Sequence, residues 1–216
     1  MPTQDYHNAE GKRIPGNTTV ISSNLGWSKG GLMYWAWMQG KEGKDFRESR
    51  DAAADAGTLA HAMVEADIKG KPLPRVENPE IMSKAETAYL NFLQWKKMVN
   101  FALITMEVPC ISEQLQFGTT IDILANVGEL GGRRSIVEVK TSNAVYEDML
   151  IQMAAQKCAW DECHPDEPIE EFHLLKLGKE EATFSHHYWH ALPLGLEAFK
   201  YLRGLHDLKK KLKALI

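Results

Sequence analysis

The chain has 216 residues, a formal net charge of −4 and a pI near 6.1. Hydrophobic residues make up 44% of it and charged residues 25%, a composition typical of globular proteins, which excludes wholesale disorder. The acidic balance also excludes a generally basic nucleic-acid coat protein. Any binding of phosphate groups therefore needs a local basic patch or bound metal cations.

The cysteine content and the N-terminal composition predict a cytoplasmic protein. Its three cysteines form an odd and sparse set, which argues against a disulfide framework and for a reducing compartment. Residues 1–17 contain no apolar segment of the kind found in signal peptides, and no run of about 18 apolar residues predicts a membrane span. The length predicts a single domain over residues 1–216.

The first half of the chain predicts an irregular lead-in followed by helices. The expected elements are an irregular segment over 1–18, a short extended segment over 19–23, a buried helix over 32–38 that ends at Gly40, a charged loop over 41–50, a helix to about 69 and a helix over 79–99. The helix to about 69 is expected to begin near Ser49 or Asp51. It begins instead near Thr58 if Gly57, which costs about 1 kcal/mol relative to alanine, interrupts it.

In the second half, the hydrophobic pattern changes to the alternation typical of strands. The expected elements are strands over 102–108, 111–116, 120–125 and 135–141, a helix over 145–160, a hairpin of strands over 172–177 and 182–188, and a C-terminal helix over 193–216. Three glycines, Gly128, Gly131 and Gly132, predict a hairpin turn. This order predicts a mixed α/β (α+β) domain with a central mixed β-sheet flanked by helices.

An acid and a base alternate within an apolar strand at Glu138 and Lys140. Both face one side of the strand, and taken alone they could form a solvated ion pair. A hairpin that turns near residues 128–132 pairs residues whose numbers sum to about 260, which predicts Asp122 directly opposite Glu138. Two opposed carboxylates repel each other, and a hard divalent cation such as Mg²⁺ or Mn²⁺ would compensate.

Two further polar pairs stand at helical i, i+4 spacing. His61 and Glu65 lie one turn apart on an alanine-rich helix, where a metal role requires that this face meet Asp122 and Glu138. Otherwise His61 is structural. Gln152 and Gln156 form the second pair, on the helix after Lys140. Such a pair is often a solvated face, but here the helix starts near the end of the strand that carries Lys140.

Four motifs follow one another in the chain: G-T-x-x-H-x-x-x-E over 57–65, G-x-x-x-D over 118–122, E-x-K over 138–140, and a helix that carries Gln152. In this order they resemble the RecB-like branch of the PD-(D/E)XK nuclease superfamily, and most of all its compact phage exonucleases. The resemblance implies a restriction-endonuclease-like core. It also implies Mg²⁺- or Mn²⁺-dependent hydrolysis of DNA in phage-type recombination, repair or replication.

The resemblance also implies roles for individual residues. Asp122 and Glu138 would be the acidic metal ligands, joined by the main-chain carbonyl of Val139. Lys140 would position or activate the attacking water and help to stabilise the charged transition state.

The resemblance gives roles to three other positions, of which Gln152 belongs to a motif that is only half matched. His61 would be an extra metal ligand, Glu65 would support the site through a second metal or a water, and Gln152 would orient Lys140 or contact DNA. The family has Gln-x-x-x-Tyr where this chain carries Gln156 in the tyrosine position. Relatives with an iron–sulfur cluster carry four cysteines, so we expect no such cluster here.

The expected partners are DNA, above all linear ends, a single-strand annealing or binding protein, and further copies of the chain. Candidate phosphate contacts are Lys29, Arg133, Arg134 and the lysines over 209–213, although these lysines are expected to form a solvated helix end that complements the helix dipole. Trp27, Tyr34, Trp35 and Trp37 could offer stacking platforms for bases, but core packing is the expected role of most of them.

Other interpretations of the same sequence stay open. His186, His187 and His190 are expected to be surface or structural residues, because strand alternation turns His186 and His187 to opposite faces. The alternatives to an exonuclease are a structure- or sequence-specific endonuclease on the same fold and a non-catalytic nucleic-acid-binding module.

Overall fold

The computed structural model describes residues 4–26, 29–128 and 132–215. The helices in these ranges are α1 Asn17–Asn24, α2 Lys29–Lys41, α3 Phe46–Ile68, α4 Pro79–Met98, α5 Glu147–Cys163 and α6 Pro193–Lys213. The strands are β1 Tyr6–His7, β2 Arg13–Ile14, β3 Phe101–Ser112, β4 Phe117–Val127, β5 Arg133–Lys140, β6 Glu171–Leu177 and β7 Phe184–Trp189. No helix in these ranges is long and apolar enough to cross a membrane.

Five strands form the central sheet in the order β3-β4-β5-β6-β7. The neighbours β3–β4, β4–β5 and β6–β7 are antiparallel, whereas β5 and β6 are parallel. Parallel neighbours need a crossover connection, and α5 provides it. The predicted fold class, a mixed α/β domain with a central mixed sheet flanked by helices, is confirmed.

Helices cover both faces of the sheet and bury an apolar core on each. On one face, α3 and α4 contribute Met63 and Phe92, which belong to the same buried cluster as Val137. On the other face, α1, α5 and α6 surround Ile136, which shares its cluster with Met153 of α5. Consecutive residues of β5 thus enter opposite cores, as strand alternation requires.

The start of α3 differs from the prediction. Its N-cap is Asp45, whose side chain accepts a hydrogen bond from the Arg47 amide, so the helix begins at Phe46. The predicted starts near Ser49, Asp51 or Thr58 are therefore wrong, and the predicted loop over 41–50 is confined to residues 42–45. Gly57 lies within the helix, where a Cβ would come 2.8 Å from the Thr141 Oγ1 atom. Its lack of a side chain lets α3 approach the end of β5.

Two predictions near the N-terminus are also wrong. Residues 19–23 belong to the helix α1 rather than to an extended segment, and the lead-in contains a small hairpin in which Tyr6 pairs with Ile14. The apolar run over 32–38 is helical as predicted, but α2 buries none of its residues. Its hydrophobicity was interpreted as core packing, whereas the helix faces solvent.

The later elements agree with the predictions except at β3. One strand, Phe101–Ser112, replaces the two predicted over 102–108 and 111–116. It is irregular, with a register shift after Leu103 and a positive φ of 55° at Glu107. The hairpin between β4 and β5 is confirmed, although Gly131 of its predicted turn lies outside the described residues.

Candidate active site

The strands β4 and β5 pair along half of their length and then part. Their ladder runs from Val127 opposite Arg133 to Ile123 opposite Val137, so paired residue numbers sum to 260 as predicted. The next position in this register would pair Asp122 with Glu138; the ladder ends just before it, and the two carboxylates are close enough to repel each other. Strand β5 continues to pair with β6 as far as Lys140, while β4 pairs with β3 along its whole length. A cleft of about 1340 Å³ opens where the two strands part.

All seven residues that were predicted to form the site line this cleft: His61, Glu65, Asp122, Glu138, Val139, Lys140 and Gln152. Three motifs from separate parts of the chain are thus brought together, and α5 supplies Gln152 from the other face of the sheet. The condition set for a metal role of His61 is met, because this residue of α3 lines the same cleft as Asp122 and Glu138. The spacing of residues in the sequence does not show whether these segments meet.

Glu138 is the centre of a buried polar network. Its carboxylate is fully buried, and its Oε1 atom lies 2.6 Å from the Lys140 Nζ atom. Gln152 connects the two residues, because its Oε1 accepts a hydrogen bond from Lys140 at 3.2 Å and its Nε2 donates to Glu138 Oε1 at 3.1 Å. A buried carboxylate needs such partners to offset its loss of hydration. Gln152 therefore has the geometry of a residue that orients Lys140.

Gln156 completes the network and was not predicted to take part in it. Its Nε2 atom donates to Glu138 Oε2 at 3.3 Å and to the Thr120 carbonyl at 3.1 Å. The side chain is fully buried, and no protein group in the described residues hydrogen-bonds its Oε1 atom. The i, i+4 spacing from Gln152 was the signal for this role, since both side chains project from one face of α5 toward Glu138.

Lys140 keeps its proton in this environment. Burial alone lowers the pKa of Lys140, but the attraction and the hydrogen bond of Glu138 outweigh it, so the pKa is raised. An ammonium group donates hydrogen bonds and cannot accept a proton. Lys140 is therefore suited to orient a water molecule and to stabilise negative charge, rather than to act as a general base.

Asp122 stands without a partner beside this network. Within the described residues, its carboxylate makes no hydrogen bond or ion pair. Burial and the repulsion of Glu138 raise the pKa of Asp122 well above its ordinary value, and Lys140 offsets only part of this. A bound cation would relieve this repulsion, which makes the pair of carboxylates a fitting place for one.

His61 and Glu65 contribute to the wall that α3 forms. Burial lowers the pKa of His61 to about 4, so the imidazole is neutral at physiological pH, which is the form that binds metals. Glu65 forms an ion pair of 2.5 Å with Lys69, four residues further along the helix. No interaction between Glu65 and Lys140 or Glu138 supports a direct part in their network.

Glu107 is a further carboxylate of the cleft, besides Glu65, Asp122 and Glu138, and sequence reasoning missed it. It lies between the pairs Met106–Ile123 and Val108–Ile121, a register that sets it opposite Asp122. Burial and the repulsion of Glu65 raise the pKa of Glu107. Its left-handed φ of 55° is strained for a residue with a side chain, and such strain is frequent at functional sites. The sequence did carry a signal for this role, because Glu107 is a single acidic residue within an apolar segment.

The N-terminal hairpin covers the cleft from the side of β4. The Tyr6 hydroxyl lies 2.9 Å from the Thr120 Oγ1 atom, which also hydrogen-bonds Gln4 at 2.8 Å. A Cβ on Gly118 would come 2.0 Å from Cγ of the Tyr6 ring, so the glycine of the G-x-x-x-D motif makes room for this cover. The segment predicted to be an irregular lead-in thus helps to build the site.

The donor set is compatible with a hard cation but does not form a ready cage. No three His, Cys, Asp or Glu side chains in the described parts of the chain are arranged to hold a metal ion. Mg²⁺ commonly uses only one or two carboxylates and keeps several waters. The unpartnered Asp122 and the adjacent Glu138 meet that requirement, and Val139 lies in the same cleft wall.

The predicted basic contacts are distributed away from the cleft. Arg133 and Arg134 lie at the opposite end of β5 from Lys140 and form ion pairs with Glu171 and Glu167. They do not line the cleft. The lysines that do are Lys69, Lys140 and Lys179.

The aromatic candidates differ in exposure. Tyr34 and Trp37 of α2 are 64% and 56% exposed, and their ring centroids are 5.7 Å apart. Trp35 is partly buried, and Trp27 lies outside the described residues. The core packing predicted for most of these rings is therefore wrong for Tyr34 and Trp37.

The histidines at the far edge of the sheet have separate partners, as strand alternation predicts for His186 and His187. His186 lies 2.8 Å from a ring nitrogen of His173, whereas His187 contacts the Ser185 hydroxyl at 3.0 Å. His190 contacts Tyr188. His186 and His187 thus have separate partners and do not share a site.

A scan against models of known protein families and a search of curated proteins found no match to this chain.

Proposed function

We propose that this protein is a metal-dependent deoxyribonuclease that hydrolyses phosphodiester bonds at DNA ends, on a restriction-endonuclease-like core. One observation carries the proposal. Asp122 and Glu138 come side by side where β4 and β5 part, with Lys140 and Gln152 in the same cleft. Two carboxylates and an adjacent ammonium in a shared cleft are the groups that metal-assisted phosphoryl chemistry needs.

Each residue has a distinct part in the proposed reaction. Asp122, Glu138 and the Val139 carbonyl would hold one or two Mg²⁺ or Mn²⁺ ions, which activate a bound water and neutralise charge on the scissile phosphate. Lys140 would donate a hydrogen bond to the attacking water or to the phosphate oxygen that gains negative charge. Gln152 keeps the Lys140 ammonium in position for this contact, through the hydrogen bond of 3.2 Å.

The surroundings of the cleft suit a polyanionic substrate that approaches with its end. Lys179 lies on its wall and forms no ion pair among the described residues, so a DNA backbone would meet positive charge there in spite of the negative net charge. Lys69 also lies on the wall, but its ammonium is paired with Glu65. The exposed rings of Tyr34 and Trp37 on α2 would offer stacking surfaces for unpaired bases. A single-strand annealing or binding protein as partner, an oligomeric state and a cytoplasmic location remain predictions.

The proposal is tested with purified protein on end-labelled linear DNA and on covalently closed circular DNA, with Mg²⁺, Mn²⁺ or EDTA. We expect metal-dependent degradation of linear DNA alone, lost in EDTA and in Lys140→Ala. The matched control is Lys71→Ala, because Lys71 is an exposed lysine whose side chain makes no hydrogen bond or ion pair with the described residues.

Two results would change the assignment. Nicking or cutting of the circle would identify an endonuclease. DNA binding without cleavage under either metal would refute the catalytic proposal and leave a nucleic-acid-binding module.

A further inference from the structure

The last helix presents an apolar stripe to solvent. Between Leu194 and Leu215, which lies two residues past the end of α6, the exposed large apolar residues recur at intervals of seven, four, three, four and three. This C-terminal seam consists of Leu194 (78% exposed), Tyr201 (72%), Leu205 (46%), Leu208 (55%), Leu212 (60%) and Leu215 (83%). Alternate spacing of three and four is the a and d pattern of a coiled coil, in which one helix packs along another.

The domain uses a different face of α6. Phe199 and Leu202 are buried in the core, and a Cβ on Gly195 would lie 3.0 Å from the Leu150 carbonyl of α5. Arg203 hydrogen-bonds the Gln116 carbonyl at 3.2 Å and anchors the middle of the helix. The seam therefore stays exposed when the opposite side of the helix packs against its own domain.

The helix then runs past the body of the domain. Each residue over 207–215 is exposed, so its last two turns project into solvent. Three leucines in this stretch, Leu208, Leu212 and Leu215, contact no core of their own chain. A projecting helix with an uncovered leucine stripe exposes apolar surface that a partner helix would remove from water.

The charges beside the seam indicate the kind of helix that fits. If Leu205 and Leu212 occupy a positions, then Lys209 and Lys211 occupy the e and g positions that flank the stripe. The only acid over 198–215 is Asp207, which is held by Arg203 at 2.5 Å. A second copy would bring like charges together, whereas acidic flanking residues on a partner would pair with both lysines.

Other occupants fit the same surface less well. DNA would use the lysines but has no need of a leucine stripe at heptad spacing. A membrane surface favours a wide apolar face, whereas this seam is the narrow a and d stripe.

We propose that the C-terminal seam binds an amphipathic helix of another protein, with apolar residues at heptad spacing flanked by acidic side chains. The two helices would form a short coiled coil outside the nuclease cleft. This interaction does not depend on the proposed catalytic activity. Its test therefore uses binding rather than cleavage as the readout.

The experiment titrates the full chain into a labelled synthetic peptide that has leucine at its a and d positions and glutamate at e and g. A second peptide carries lysine at e and g. We expect the acidic peptide to bind at least about tenfold more tightly than the basic one, with binding lost in the double variant Leu208→Gln, Leu212→Gln. Charge reversal in Lys209→Glu, Lys211→Glu should invert the preference between the two peptides.

The matched control is Leu90→Gln on α4, because Leu90 is 61% exposed and lies outside the seam. It should bind the acidic peptide as the unchanged chain does. Equal binding of both peptides, or of neither, would overturn the proposal. So would a dimer of the chain alone in sedimentation that the double leucine variant abolishes, or leucine-dependent binding to vesicles of phosphatidylcholine and phosphatidylglycerol. Each of these last two results would assign the seam to a different occupant.

Discussion

The Lys140 Nζ atom lies 2.6 Å from the Glu138 Oε1 atom, two residues back on the same strand. Strand alternation puts both side chains on one face, and Gln152 joins them by hydrogen bonds to each. The ammonium is therefore held at a fixed distance from the carboxylate that would bind the cation. From this geometry we expect the activity to depend on Gln152 as well as on the charged pair.

Loss of Gln152 should slow catalysis without weakening DNA binding. In Gln152→Leu, Lys140 loses the acceptor that orients it, and we expect kcat on linear DNA to fall about 10–100-fold with little change in KM. Gln94→Leu is the matched control, since Gln94 is an exposed glutamine on α4. A raised KM with unchanged kcat would show instead that Gln152 contacts DNA.

Loss of Gln156 should destabilise the fold. The Gln156→Leu substitution removes the donor to Glu138 Oε2 and to the Thr120 carbonyl in a buried setting, which costs about 1–3 kcal/mol. Urea denaturation should show this fall in the free energy of unfolding, while Gln94→Leu stays within about 0.5 kcal/mol of the parent. A similarly small effect for Gln156→Leu would show that Glu138 does not need its second amide donor.

Asp122 should weaken the domain when no metal is present. Its raised pKa means that the folded state disfavours the ionised form, so Asp122→Asn should raise the free energy of unfolding at neutral pH in EDTA. The gain should shrink as the pH falls through the raised pKa toward the ordinary aspartate value, because the parent then becomes protonated and loses its penalty. Denaturation of both proteins across this pH range measures the effect.

The same variant tests the metal. Mg²⁺ or Mn²⁺ should raise the Tm of the parent, because a ligand that binds only the folded state stabilises it. Asp122→Asn should lose most of this shift. Asp166→Asn, which changes an exposed aspartate in a loop, should keep it. An equal shift in both variants would place the cation elsewhere.

His61 should make the domain less stable in mild acid. The pKa of His61 is lowered to about 4 in the folded state. Between about pH 6.5 and 4, His61 therefore binds a proton in the unfolded chain but not in the folded protein. Stability from this group is thus present at neutral pH and lost as the pH falls, by at most about 3 kcal/mol, since His61 is only partly buried. His61→Asn should show a shallower fall over this range. His7→Asn, at an exposed position, should follow the parent, and a His61→Asn curve parallel to the parent would contradict the prediction.

Gly118 and Tyr6 should be energetically coupled. In Gly118→Ala, the new methyl group would overlap the Tyr6 ring, and we expect a loss of about 1–3 kcal/mol as the hairpin is displaced. In a Tyr6→Ala background, the same change should cost much less, which a double-mutant cycle of unfolding free energies measures. Gly40→Ala, with open space around its position, should not destabilise. Additive changes in the free energy of unfolding would show that the hairpin is not destabilised by contact with the new methyl group.

Local sequence patterns determined a large part of the secondary structure and the strand register of this protein. Strand alternation and the position of the glycine-rich turn gave the register that brings Asp122 beside Glu138, because an antiparallel hairpin pairs residues with a constant number sum. The helices α4, α5 and α6 followed from apolar periodicity and from end signals such as Pro79 and Pro193. These features depend on neighbours in the chain, which a sequence displays directly.

The rest depended on contacts between distant segments. The approach of α3 to the strand ends follows from the space beside Gly57, and the cover over Gly118 follows from Tyr6, more than a hundred residues away. The exposure of α2 was equally hidden, because hydrophobicity shows that a helix has an apolar surface but not whether its own domain covers it. Glu107 reaches the cleft because β3 is irregular and Glu107 itself adopts a left-handed backbone conformation. Only the packing of the whole sheet selects this conformation.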